Sequence, residues 1–302
     1  MKGEALARFM ELRGWKVVQG AGSFWQEFRE RSYIGFPLHA AIDPDPDELD
    51  SLLRRTRALC VRYVSAQAHG FPGGLYVVRD KHFGVASVQQ KGRAKLRRGL
   101  ERCEIRPVDL DILRAEGLWL NLETMARQKR YEAEFGDAKR WKRFLDAVRL
   151  SPNVAAIGAF IDGRLSSYAI LHREDGWLYL LYQMSLTSGL RHGANVALHY
   201  EVCRMIADPG VKAVCSGPTS LAEGRLHDFK LRMGMTVLPQ TFAFRFHPAV
   251  SRIATGSVAR VLADGLHRLR PGNARLEVLT NVLRGARLSK QPANRAEEIV
   301  PC

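Results

Sequence analysis

The chain is poor in the residues that build covalent or metal frameworks. It has five cysteines in 302 residues: Cys60, Cys103, Cys203, Cys215 and Cys302 are widely spaced and form no C-x-x-C pair. An odd, scattered set argues against a disulfide framework or a cysteine zinc site, and points to a reducing compartment. The nine histidines form no H-x-H or H-x-x-x-H pair, so no metal site is expected. No stretch approaches the ~18 apolar residues of a membrane span. The opening "MKGEALARFMELRGW" is interrupted by Glu4, Arg8, Glu11 and Arg13, unlike the apolar centre of a secretory leader. Neither a G-x-S-x-G elbow nor a G-x-x-x-x-G-K-[ST] loop is present, which weakens hydrolase and nucleotidase readings. The expected location is the cytoplasm, with peripheral contact to the inner face of a membrane allowed.

Negative charge is also scarce. Lys and Arg number 46 against 31 Asp and Glu, a formal net charge of +15. Such an excess does little for a fold and suits a polyanionic partner: nucleic acid, anionic lipid, a phosphorylated co-substrate or an acidic carrier protein. The hydrophobic content of 46% is enough for one large domain or two modest ones.

Residues 1–84 mix short elements. A helix is expected near Lys2–Leu12, then a strand at "KVVQ". "DPDPDELDSLLRRTRA" starts a helix, with Asp45 or Asp47 as cap and Pro46 in the first turn. "LCVRYVS" and "LYVVR" read as strands, separated by a turn at "FPGG". Next comes "QQKGRAKLRRGLERCEI", a helix whose outer face carries Arg93, Lys95, Arg97 and Arg98. It is either a solvated face or a docking surface for polyanions. Two further helical segments occupy 109–150. Trp141, Phe144, Leu145 and Val148 mark one face of the second.

From Asn153 the pattern changes to three apolar runs joined by Asp162-Gly163 and Asp175-Gly176, a hairpin signal that predicts a three-stranded antiparallel meander. A glycine-bearing basic turn, a helix, the strand "KAVCS", the helix "RLHDFKLRM" and the strand "TFAFRF" complete a β-β-β-α-β-α-β order, an α+β arrangement. Residues 247–302 read as a basic helical tail with a disordered end.

The turn "TSGLRHGAN" sits where a strand becomes a helix. A helix N-terminus exposes free N–H groups that suit an anion, glycine lets the backbone approach it, and Arg191 and His192 add charge. In its setting this segment resembles the core of the GNAT N-acyltransferase superfamily. Two further stretches, "KGRAKLRRGLER" running into "CEIRPVD" and "GPTSLAEGRLHDFKLRMGM", are similar to the Fem-type and acetyltransferase-like branch. The resemblance covers 85–246 and leaves 1–84 as a candidate degenerate first copy of the same fold.

The resemblance implies a mixed, largely antiparallel central sheet flanked by helices. It implies N-acyl transfer from acyl-CoA to an amine acceptor, with acyl carrier protein or aminoacyl-tRNA as alternative donors. A non-catalytic scaffold that binds nucleic acid or membrane through its basic faces is the reading outside enzymes. The co-substrate would lie along Tyr182, Gln183, Met184 and Ser185 at the strand end and Gly189, Arg191, His192, Gly193, Ala194 and Asn195 at the turn. Around Gly193 the usual Gln/Arg-x-x-Gly-x-Gly/Ala is replaced, with Leu190 and Asn195 outermost. Lys230 stands where many GNAT enzymes keep a tyrosine acid, and could stabilise a developing anion. Glu223, or alternatively His227, is the candidate base.

Overall fold

The computed structural model describes residues 1–29, 31–67, 70–219 and 224–249. The expected tail, from residue 250 onward, and Glu223 lie outside the described residues. Helix α1 (Glu4–Leu12) buries Leu6, Phe9 and Met10. Strands β1 (Val17–Gly20), β2 (Ser23–Arg29) and β3 (Ser32–Phe36) form an antiparallel meander. Helix α2 (Pro46–Thr56) begins where its sequence predicts. The Asp45 carboxylate accepts the Asp47 N–H at 2.7 Å, and Pro46 occupies the first turn. Strand β4 (Cys60–Ser65) lies parallel to β3.

Strand β5 (Phe71–Val78) corrects the expected "FPGG" turn, because Gly73 and Gly74 lie inside it. A Cβ on Gly73 would come within 2.6 Å of the Phe242 ring, and one on Gly74 within 2.5 Å of Val237. The glycines admit neighbouring side chains rather than a reversal. Helix α3 (Gln90–Arg102), strand β6 (Glu104–Pro107) and helices α4 (Leu110–Arg127), α5 (Ala133–Gly136) and α6 (Ala138–Arg149) follow.

The second half is the expected meander of β7 (Val154–Ile161), β8 (Arg164–Glu174) and β9 (Trp177–Ser185). Asp162-Gly163 and Asp175-Gly176 all have positive φ, as the mirror-image hairpin turn requires. The one helix expected after β9 is two: α7 (Thr187–His192) and α8 (Ala194–Arg204), broken at Gly193 with φ 84°. Gly189 lies inside α7. Strand β10 (Ala213–Thr219) is parallel to β9, and α9 (Arg225–Arg232) leads to β11 (Thr236–Phe246).

Among the described residues all eleven strands join one sheet in the order β1-β2-β3-β4-β11-β5-β10-β9-β8-β7-β6. Three antiparallel strands, helix and parallel strand occur twice, as β1–β4 with α2 and as β7–β10 with α7 and α8. At the centre the halves interlock: β5 pairs with β10 and β11, and β11 also pairs with β4. Along β8, Tyr168 and Ile170 face a core closed by α1, α4, α5 and α6, while Ala169 and Leu171 face one closed by α3 and α8. The architecture is the expected mixed α+β sheet flanked by helices.

Candidate functional site

β9 and β10 are paired over only three positions: Trp177 with Ala213, Leu178 with Val214, Tyr179 with Cys215. Beyond them the strands part, and β9 runs on to Ser185 and β10 to Thr219. Leu181 is an extra residue in β9, since Leu180 faces Leu171 and Tyr182 faces Ile170. A bulge of this kind bends the strand and releases it from strict pairing.

A polar cluster gathers at the opening. Gln183 Nε2 donates to the Asn195 carbonyl at 2.8 Å, so its Oε1 faces His199 Nδ1 at 3.2 Å as an acceptor. Burial, aided by the Lys230 charge, drives the His199 pKa down to about 3. His199 is therefore neutral, carries its proton on Nδ1, and leaves Nε2 a bare acceptor with no partner among the described residues. Its ring meets Phe229 edge-on at 5.1 Å.

Lys230 is buried on α9. Its ammonium donates to the Ser216 carbonyl on β10 and lies 4.2 Å from the centre of the Tyr76 ring. Burial pulls its pKa down to about 8, so it titrates near neutrality. The Tyr76 hydroxyl bonds Thr219 Oγ1 at 3.0 Å and His227 Nδ1 at 2.8 Å. Next to this cluster, α3, α8 and α9 enclose a cleft of about 90 Å3 lined by Lys91, Lys95, Asn195, Phe229 and Arg232. Asn195 Oδ1 there has no partner among the described residues.

The structure thus brings Lys230, His227, Gln183 and Asn195 together. Tyr182 and Met184 face the opposite core, where the Tyr182 hydroxyl accepts from Arg13 at 2.6 Å. Ser185 is tied down: its N–H donates to Thr124 Oγ1 and its carbonyl accepts from the same hydroxyl, both at 2.9 Å. Arg191 and His192 are exposed.

Gly193 sits against α3. A Cβ there would lie 2.9 Å from the Lys95 carbonyl, and one on Gly99 would lie 2.6 Å from the Gly193 carbonyl. The Gly193 N–H donates to the Leu190 carbonyl at 3.2 Å, and Ala194 is fully buried. Gly189 closes on the Ser166 carbonyl, 2.9 Å from where its Cβ would be. At the start of α7 the Thr187 N–H donates to Glu123 at 2.5 Å, so a carboxylate from α4 already occupies that helix N-terminus. The bonds from Thr187 hold the Glu123 pKa below its ordinary value, with a further contribution from Arg127.

On the basic helix, Arg93 bonds the Val88 and Ala86 carbonyls, both at 2.8 Å. Lys95 lines the cleft, and Arg97 and Arg98 are exposed. Among the described residues no three of His, Cys, Asp and Glu come together as a metal-binding group. Tyr76 and Glu123 carry no local sequence signal, because each meets the site only through the tertiary fold.

No family model matches the sequence, and no curated protein matches it. Solved structures do. FemX superposes with a TM-score of 0.60 at 12% identity, covering 83% of this chain and 93% of that one. This chain has a GNAT-like fold of the Fem type. A second match is the C-terminal DUF2156 domain of a protein from Agrobacterium fabrum described as a lysylphosphatidylglycerol synthetase. Its TM-score is 0.54 at 14% identity, with 84% and 90% of the two chains covered. A conserved protein of unknown function from Bacteroides thetaiotaomicron matches at a TM-score of 0.53 and 13% identity, over 78% and 88%. No helix among the described residues is long and apolar enough to cross a membrane.

Proposed function

We propose that this protein transfers an acyl group from an activated ester to an amine where β9 and β10 part, with Lys230 as the charged catalytic group. The supporting observation is the Lys230 ammonium, buried against Ser216 and Tyr76 and titrating near pH 8. Attack of the amine on the acyl carbonyl forms a C–N bond and puts negative charge on the carbonyl oxygen, which a desolvated ammonium stabilises strongly. The C–O bond to the leaving group then breaks. Lys230 gives that oxygen a proton and recovers one from the attacking nitrogen. His227 and the unpartnered His199 Nε2 offer acceptors for substrate N–H or O–H groups.

For the donor, the geometry favours aminoacyl-tRNA, the Fem-type donor, over acyl-CoA. Glu123 stands where a pyrophosphate would meet the α7 N-terminus. Lys91, Lys95 and Arg232 offer positive charge beside the cleft instead. The test is product mass spectrometry with aminoacyl-tRNA and with acyl-CoA thioesters over a panel of amines. Amide product from tRNA that drops about 10²-fold in Lys230→Met supports the reading. Turnover with acyl-CoA alone would replace the donor, and turnover with neither would leave the binding scaffold.

A further inference from the structure

A helix at a protein surface normally has one apolar side and one polar side. α4 has two apolar sides. Its inner side, with Leu113, Leu120 and Met125, packs on the sheet. Directly opposite, at spacings that share one helical face, stand Ala115, Trp119, Leu122 and Ala126, all exposed. Trp119 is 66% exposed and Leu122 38%. A tryptophan left this open on a face with no polar residue at its centre calls for a partner.

The surrounding charge says which kind. α6 lies along α4, joined by Arg114 to Asp146 and by Arg149 to Asp111, each at 3.5 Å. On α6, Lys139, Lys142 and Arg143 are exposed, and Lys129 follows the end of α4. Among the described residues none of these four has an acidic partner, while Asp111, Asp146 and Glu132 nearby are already paired with arginines. Of the carboxylates at the stripe, Asp111 is paired with Arg114 and Arg149 and Glu123 is bonded to the Thr187 N–H, which leaves Glu116. An exposed tryptophan and leucine set among unpaired cations match an anionic bilayer surface: the ring enters the headgroup level and the cations meet lipid phosphates.

We propose that the outer face of α4, with Trp119 and Leu122 at its centre and the cations of α6 beside it, docks this protein on an anionic lipid membrane. The inner side of the same helix supplies Thr124 and Glu123 to the end of β9 and the start of α7. Docking face and the anchor of the β9 end are therefore two sides of one rigid element. The proposal stands apart from the choice of acyl donor, because it concerns adhesion rather than turnover.

The test is co-sedimentation of the full-length protein with phosphatidylcholine vesicles, with and without phosphatidylglycerol. The parent should bind only the vesicles containing phosphatidylglycerol, and added salt should weaken binding. Trp119→Ser with Leu122→Ser should lower affinity about tenfold or more, with an unchanged melting temperature. Trp119→Phe should keep binding but lose much of the blue shift in tryptophan fluorescence on vesicle addition, a readout that needs no disruptive variant. A parent that ignores both vesicles overturns the proposal. So does a double variant that binds as well as the parent, which would place adhesion on other basic faces such as α3. A dimer dissolved by Trp119→Ser, in a protein that ignores vesicles, would assign the face to a second copy of the chain.

Discussion

Replacing Lys230 with Met should make the protein less active and, near neutral pH, slightly more stable. Burial lowers the lysine pKa from 10.5 to about 8. A shift of that size corresponds to roughly 3 kcal/mol by which folding disfavours the charged form. A base with a lowered pKa binds fewer protons folded than unfolded. Its destabilisation is thus complete below pH 8 and is relieved as pH rises toward 10.5. Met keeps most of the aliphatic stem and carries no charge. The variant loses the charged bond to Ser216, worth about 1.5 kcal/mol, and the contact with Tyr76, worth about 1 kcal/mol. A net gain of about 0.5 kcal/mol remains at pH 7, a rise of roughly 1 °C in melting temperature for a chain of this size. Calorimetry of both proteins across pH 7 to pH 10.5 isolates the effect, since other titrating groups cancel in the difference. The advantage of the variant should shrink with rising pH and reverse. A gap that does not move with pH would show that Lys230 is not desolvated, and would remove the ground for its catalytic role.

Arg13→Met should cost about 3–5 kcal/mol in chemical denaturation, because it strands Glu134, which Arg13 Nε bonds at 2.9 Å; adding Glu134→Gln should restore part of that. Glu123→Gln should cost about 0.5–1 kcal/mol at neutral pH through the weakened α7 terminus. That cost should fade below the ordinary carboxylate value of 4.5, as acid protonates the parent's carboxylate through its lowered pKa; a pH-independent gap would refute the capping role. Gly99→Ala should destabilise by about 1–3 kcal/mol in urea, since its methyl would stand 2.6 Å from the Gly193 carbonyl, and a neutral result would mean α3 can shift freely. Changing Lys95, Arg97 and Arg98 to Gln should leave stability nearly unchanged and flatten the salt dependence of donor binding, which filter-binding titrations would read.

Local patterns made much of the second half legible. Asp162-Gly163 and Asp175-Gly176 fix the meander, because few other pairs tolerate two positive φ angles in succession. The α2 cap and the buried face of α6 follow from short-range spacing. Gly73 and Gly74 misled because a glycine pair looks the same in a turn and in a strand crowded by its neighbours. Only the sheet shows Phe242 and Val237 filling the space. Gly193 was similar: an opening for an anion and a close crossing with Gly99 both require glycine. Lys230 and His227 could be picked out from the helix before β11, whereas Tyr76, which joins them from β5, gives no sign in its own surroundings.

The interlocking of the two halves bears on how the protein is made. As the chain leaves the ribosome, β4 emerges early and can find β3, yet its other edge awaits β11. β5 fares worse, for both of its neighbours, β10 and β11, come from the far end of the described chain. Until then two strands with open edges are exposed to other nascent chains, the situation in which strand-to-strand aggregation begins. Synthesis must therefore run to Phe246 before every strand of the sheet has its neighbours, and until then the early half keeps two unpaired edges.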